Sequence, residues 1–227
     1  MVSVNIINNI YIKNGCYIPF VYIGLWYFTK DFYLSTVVCF KLHTMNYFYR
    51  FEHHYKILPS PYNFMKQFVR LTDSGIAASL IYYFYPAFFS VAHNIHFLIS
   101  VGYWVGKLMF SMEETNEIHS PEIVKWYIKM CSDLLHIVPY ALLVREIPTF
   151  DQCHNYFTYN DLTHSYNWMQ YWFIYVYIPW RLITNDAMYT VISSKNSAMQ
   201  IIMFGGIIHV ILLIGHVFGK ILLYVYC

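Results

Sequence analysis

Charge is what this sequence has least of. Only 11% of its 227 residues are Asp, Glu, Lys or Arg, while 58% are hydrophobic. A soluble domain carries about 25% charged residues, so the deficit is too large for an ordinary water-facing surface. Basic residues never form a run, and the net charge is +2. Without clustered Lys or Arg to meet phosphates, nucleic acid is not an expected partner. Cysteine is also sparse: Cys16, Cys39, Cys131, Cys153 and Cys227 show neither a CxxC nor a zinc spacing, which favours buried thiols over a disulfide framework. The stretch "MVSVNIINNIYIKN" lacks the basic-then-apolar order of a secretory signal. No N-x-S/T acceptor, internal repeat or low-complexity tract occurs.

What is present is apolar and aromatic. Phe, Trp and Tyr make up 21% of the chain, with 24 tyrosines, and aromatic side chains gather at bilayer interfaces. A helical span needs about 20 apolar residues. By that measure the expected architecture is all-α and integral to a membrane: a single polytopic domain over 1–227, a bundle of about six transmembrane helices. The expected spans lie near 15–29, 32–49, 75–110, 131–147, 168–184 and 198–226. The 75–110 stretch is too long for one straight span, and Pro86 and the pair His93–Asn94 are its expected kinks. Lys41 falls in the middle of 32–49, so that segment must face protein or lie partly in the interface. Pro121 suits the first turn of the next helix, and Pro148 should end it. Basic residues divide evenly between the two sides of this layout, so the positive-inside rule leaves its orientation open.

Ionisable groups inside a span are costly and usually face a bundle interior or a cavity. Here they are His43, His93, His96, Asp133, His136, Arg181, His209, His216 and Lys220. His209 and His216 are two turns apart, hence on one helix face. Gly215 and Gly219 form GxxxG in the same helix, a spacing that lets helices approach closely. One reading has these histidines bonding across to neighbouring helices. A minor alternative has haem b held between His209 or His216 and His93 or His136; apart from it, no cofactor is expected. In "DLLHIVPYALLVRE" (133–146) Asp133 and His136 lie one turn apart, so an ionised Asp133 can orient the imidazole or raise its basicity. Burial favours the neutral ring, the form a general base needs. A structural histidine and a catalytic base are both compatible with that motif.

The stretch "SDLLHIVPYALLVREI" resembles the motif of the androgen-induced-protein (FAR-17a) family, in which a histidine precedes a proline and an aliphatic run ends in an acid. Those positions read His136, Pro139, Leu142–Leu143 and Glu146 here. The resemblance implies a bundle of about six spans and hydrolysis of fatty acid esters by a threonine nucleophile near the start of the second span. The family's Leu-Thr pair corresponds to Leu34-Ser35 in "DFYLSTVVCF", with Thr36 adjacent, and Thr44 in "KLHTMNYF" is a further candidate. A hydroxyl becomes a useful nucleophile once an adjacent base takes its proton, so His136 would be that base for Ser35, Thr36 or Thr44. Membrane lipids are the implied partners, and an endomembrane the implied location.

A rival resemblance comes from "PWRLITNDAM", which is similar to the Arg-Leu-x-x-Asn of the rotor-facing membrane subunit of ATP synthases. It implies a structural or proton-path subunit of a mitochondrial inner-membrane complex, with other membrane subunits as partners.

Overall fold

The computed structural model describes residues 17–42, 65, 68–109, 122–147, 155–185, 189 and 197–226. Among these residues every regular element is helical. The chain groups into two compact units, Met1–Phe68 with Asn116–Pro139, and Val69–Thr115 with Tyr140–Cys227.

In the first unit, α1 (Ile18–Thr29) and α2 (Phe32–Leu42) are joined by a tight turn written in "TKD". Lys30 adopts the left-handed conformation (φ 56°) and its N–H caps the carbonyl of Trp26 at 2.8 Å. The Asp31 carboxylate then accepts from the Leu34 N–H at 2.8 Å, which satisfies one of the orphan donors at the start of α2. Buried Tyr33, Leu34 and Val37 of α2 and Ile18 of α1 form the interior of this hairpin. At 12 residues α1 is about 18 Å long, short of a bilayer core of about 30 Å. Lys41 sits near the end of α2 with its ammonium over the Phe68 ring, 5.3 Å from the centroid. His43, Thr44 and the rest of the expected 32–49 span lie outside the described residues.

The second unit is built around α4. The apolar run 75–110 is divided, as Pro86 requires: α3 (Leu71–Phe84) stops at Tyr85, a 3-10 turn covers Pro86–Phe88, and α4 spans Phe89–Met109. A proline removes a helical N–H and pushes the residue before it out of the α region. His93 and Asn94 make no second kink, because α4 runs through them unbroken. The helix α5 (Glu122–Glu146) begins right after Pro121, earlier than the expected span, and carries Pro139 inside it; its residues up to Pro139 belong to the first unit. α6 (Tyr159–Tyr171) opens on a capping box: the Thr158 N–H donates to Asp161 at 2.8 Å and the Asp161 N–H to the Thr158 hydroxyl at 3.3 Å. It continues as a π-helical segment, Trp172–Tyr177, into α7 (Ile178–Thr184). Pro179 explains the widening, since it lacks the N–H that a regular turn would direct at the carbonyl four residues back.

The last helix, α8 (Ala198–Tyr226), keeps the boundaries expected for the sixth span to within a residue. Its 29 residues extend roughly 44 Å, more than the hydrocarbon thickness. Among the described residues it is the one helix long and apolar enough to cross a membrane. Length and composition therefore support one membrane span, not six. α3, α6 and α8 all pack on α4. The apolar core there joins Val91, Ile95, Leu98 and Ile99 of α4 to Met169 of α6 and to Ile211 and Leu212 of α8.

Candidate functional site: a buried histidine, asparagine and serine network

Two turns of α4 carry Ser90, His93, Asn94 and His96, all buried, inside a helix whose other buried positions are mostly apolar. A buried polar group costs free energy unless it is hydrogen-bonded, so each atom needs a partner. Asn94 supplies most of them. Its amide nitrogen donates to the Ser165 hydroxyl of α6 at 2.9 Å and to Nδ1 of His216 of α8 at 3.1 Å. The Ser165 hydroxyl passes its own proton to the Asp161 carbonyl at 2.7 Å. His216 also bonds the backbone of Phe157. Because its Nδ1 accepts from Asn94, the other ring nitrogen carries the proton and donates to the Phe157 carbonyl.

Direction matters in this chain. With both amide protons of Asn94 committed, its oxygen is left as an acceptor, and Nδ1 of His93 lies 3.4 Å from it. His93 must then be protonated on Nδ1 and carry its lone pair on Nε2. The hydrogen bonds run one way, from His93 through Asn94 to His216 and the Phe157 carbonyl, with a branch through Ser165 to Asp161. At the head of the chain, Nε2 of His93 is buried and has no hydrogen-bond partner among the described residues. The Tyr140 hydroxyl is in the same condition, and the rings of His93 and Tyr140 are 5.1 Å apart.

Packing around this chain is aromatic and close. Phe157 is fully buried in the left-handed conformation (φ 53°), which costs a non-glycine residue roughly 1–2 kcal/mol. Its N–H donates to the Ser90 hydroxyl at 2.8 Å, and its ring meets His93 at 4.9 Å, His216 at 5.7 Å and Phe89 at 6.0 Å. Gly219 makes room for that ring: a Cβ there would collide with Phe157 and stand 2.9 Å from Cε1 of His93. A Cβ on Gly215 would be 2.5 Å from the Phe97 ring. The GxxxG of α8 is thus a pair of notches for aromatic side chains of its own unit. A second polar pair lies nearby on the same helix. Nε2 of His96 is 2.6 Å from the Ser79 hydroxyl of α3, which also bonds the Gly75 carbonyl at 3.1 Å.

The candidates taken from the motifs lie elsewhere. In the first unit Nδ1 of His136 donates to the Ser132 carbonyl at 2.7 Å, which leaves the lone pair on Nε2. Ser35 is buried and its hydroxyl donates to the Asp31 carbonyl at 2.7 Å. Thr36 donates to the Phe32 carbonyl at 2.8 Å and stands 3.5 Å from the Tyr22 hydroxyl. Thr44 lies outside the described residues. In the ATP-synthase-like motif, Arg181 donates to the carbonyl of Asn185, which closes α7 in the left-handed conformation. His209 is exposed, stacks on Tyr166 at 5.6 Å and donates from Nδ1 to the Gly205 carbonyl. His216 and His93 share Asn94, and the space beside both rings holds Phe157. Among the described residues no cluster of three or more His, Cys, Asp or Glu is placed to hold a metal ion.

Sequence reading passed over Asn94, Ser79 and Ser165. The signal for Asn94 was its place beside a histidine within an apolar run, taken above as a kink. Ser165 stands 71 residues away from it, and no local pattern links the two. In comparisons with known proteins, no family model, no curated protein and no solved structure matches this chain.

Proposed function

We propose that the chain is an all-α, multi-pass membrane protein and that it serves as a structural subunit among other membrane proteins. One observation carries this reading: the second unit buries a set of polar side chains beside its apolar core, while a broad apolar face of α8 stays exposed. His93, Asn94, His96, Ser79, Ser165 and His216 are buried, while Ile202, Leu213, Ile214, Val217 and Ile221 along α8 are exposed. Contiguous exposed apolar surface of this kind marks lipid or a partner, and polar groups within a membrane bundle face its interior. Basic side chains lie over aromatic rings at the C-terminal ends of two helices. Lys30 covers Tyr27 at 4.5 Å, and Lys107 covers Trp104 at 5.1 Å, as befits an aromatic belt at the water boundary. Between the structural and proton-path roles, the hub favours the structural one. A carboxamide has two fixed donors and one acceptor; it orients both imidazoles but does not pass protons between them as a third imidazole would.

A second reading, lipid-ester hydrolysis, is supported by the tautomer of His136. The hydrogen bond from its Nδ1 to the Ser132 carbonyl places the lone pair on Nε2, the tautomer a general base uses, and Ser35 and Thr36 belong to the same unit. Two measurements on chain solubilised in a mild detergent separate these readings. The structural reading expects migration within an assembly larger than one chain on native electrophoresis, and no labelling by a fluorophosphonate probe. A single chain that takes the label, and loses it in His136→Ala, overturns that reading in favour of the hydrolase. A single chain that takes no label overturns both.

A further inference from the structure

The buried network is saturated everywhere except at its head. His216 accepts at one nitrogen and donates from the other; Ser165 accepts from Asn94 and donates to Asp161; both protons of Asn94 are placed. At its head, among the described residues, stand one unmatched buried acceptor, Nε2 of His93, and on the neighbouring ring one unmatched buried donor, the Tyr140 hydroxyl; the Trp168 indole N–H of the same unit is likewise unmatched. They belong to the same compact unit. The His93 side chain is wholly shielded from solvent. Burying such a group without a partner is costly, and native interiors rarely leave one unmatched.

His93 and Tyr140 are complementary in sign. The direction of the Asn94 chain forces the lone pair onto Nε2, and a neutral phenol has a proton to give. Ring centroids 5.1 Å apart, with the planes inclined at 60°, bring the two groups into one neighbourhood. Phe157 lies 4.9 Å from the His93 ring, Phe97 lies 5.4 Å from the Tyr140 ring, and Gly219 stands beside His93. We infer that His93 and Tyr140 together bind one small hydroxylic molecule, water being the species that fits. It donates to Nε2 of His93 and accepts from the Tyr140 hydroxyl, which gives a buried water the two partners it needs. This inference rests on the hydrogen-bond accounting alone and stands whether or not the chain is a membrane subunit.

The test uses the full chain in detergent micelles, labelled with ¹⁵N histidine, together with Tyr140→Phe. Long-range histidine spectra should show His93 protonated on Nδ1, with its Nε2 resonance displaced by hydrogen-bond acceptance. Tyr140→Phe should move that resonance toward the unbonded imine position while leaving His216 unchanged. A structure at water-resolving resolution should place one oxygen within about 2.6–3.2 Å of both groups. Protonation of His93 on Nε2, a resonance indifferent to Tyr140→Phe, or a direct Tyr140–His93 bond with no oxygen between would each overturn the inference. Should Tyr140→Phe fail to fold, the wild-type density and the wild-type tautomer still decide it.

Discussion

Asn94→Leu retains a branched side chain of similar length and removes all three amide hydrogen bonds at once. Two groups are then stranded in the core: Nδ1 of His216, which accepted at 3.1 Å, and the Nδ1 proton of His93. Ser165 loses a donor but keeps its bond to the Asp161 carbonyl, so it adds little. At about 1–3 kcal/mol for each stranded group, the substitution should cost roughly 2–6 kcal/mol, a large part of the roughly 5–15 kcal/mol that holds a typical domain together. His216→Phe alone strands one amide proton of Asn94. In the double variant that proton and the His216 acceptor are both gone, so the penalties must not add. A coupling of about 1–2 kcal/mol, with the double variant more stable than the sum of singles, is the expected result. The assay is reversible unfolding of the full chain in mixed micelles, followed by tryptophan fluorescence. Costs that add to within about 0.5 kcal/mol, or an Asn94→Leu penalty no larger than a surface substitution, would refute the network.

Other expectations follow from the same geometry. Gly219→Ala puts a methyl group against the Phe157 ring and His93, and overpacking of this kind should cost about 1–3 kcal/mol; an unchanged unfolding midpoint would show that Phe157 is not held as described. Gly205, where a Cβ meets nothing within 4 Å, is the control, and Gly205→Ala should be neutral or slightly stabilising. Between α7 and α8, the Tyr189 hydroxyl accepts from the Leu71 N–H at 2.9 Å. Burial is the main reason its phenol is pushed up to about 12 from the ordinary 10. The folded state holds that proton more tightly than the unfolded chain. The associated stability is therefore complete below about pH 10 and is lost as pH rises toward 12. In a ¹³C-tyrosine titration the resonance absent from Tyr189→Phe should be among the last to ionise. Ionisation near pH 10 would contradict its burial.

Much of the helical frame was legible because it rests on local rules. Pro86 had to interrupt the 75–110 run, and α8 is apolar over its whole length. His209 and His216 do share a face: both rings meet the 155–171 segment, one at Tyr166 and the other at Phe157. Depth was not legible, since the same spacing leaves His209 exposed and His216 buried. The polar core was misread for a related reason. A His-Asn pair in an apolar run signals a broken helix as readily as a buried hub, and the partners that decide between them are 71 and 122 residues away. GxxxG likewise marks close approach without saying by what; here it is aromatic rings. The motif around His136 gave its helix, but Ser35 and Thr36 spend their hydroxyl protons on backbone carbonyls of their own helix, a habit of Ser and Thr that spacing does not reveal.

On the proposed membrane reading, the apolar side chains exposed on α8 are covered by lipid or by a neighbouring membrane subunit. Cysteine accessibility in intact membranes tests it most directly, on a background from which the five native cysteines have been removed. Leu213→Cys lies mid-helix at a position that is 44% exposed, while Ser197→Cys lies just before the helix begins and is exposed as well. The account predicts that a membrane-impermeant maleimide modifies Ser197→Cys, and that it reaches Leu213→Cys only after unfolding in SDS. Labelling of Leu213→Cys in intact membranes as fast as Ser197→Cys would contradict it.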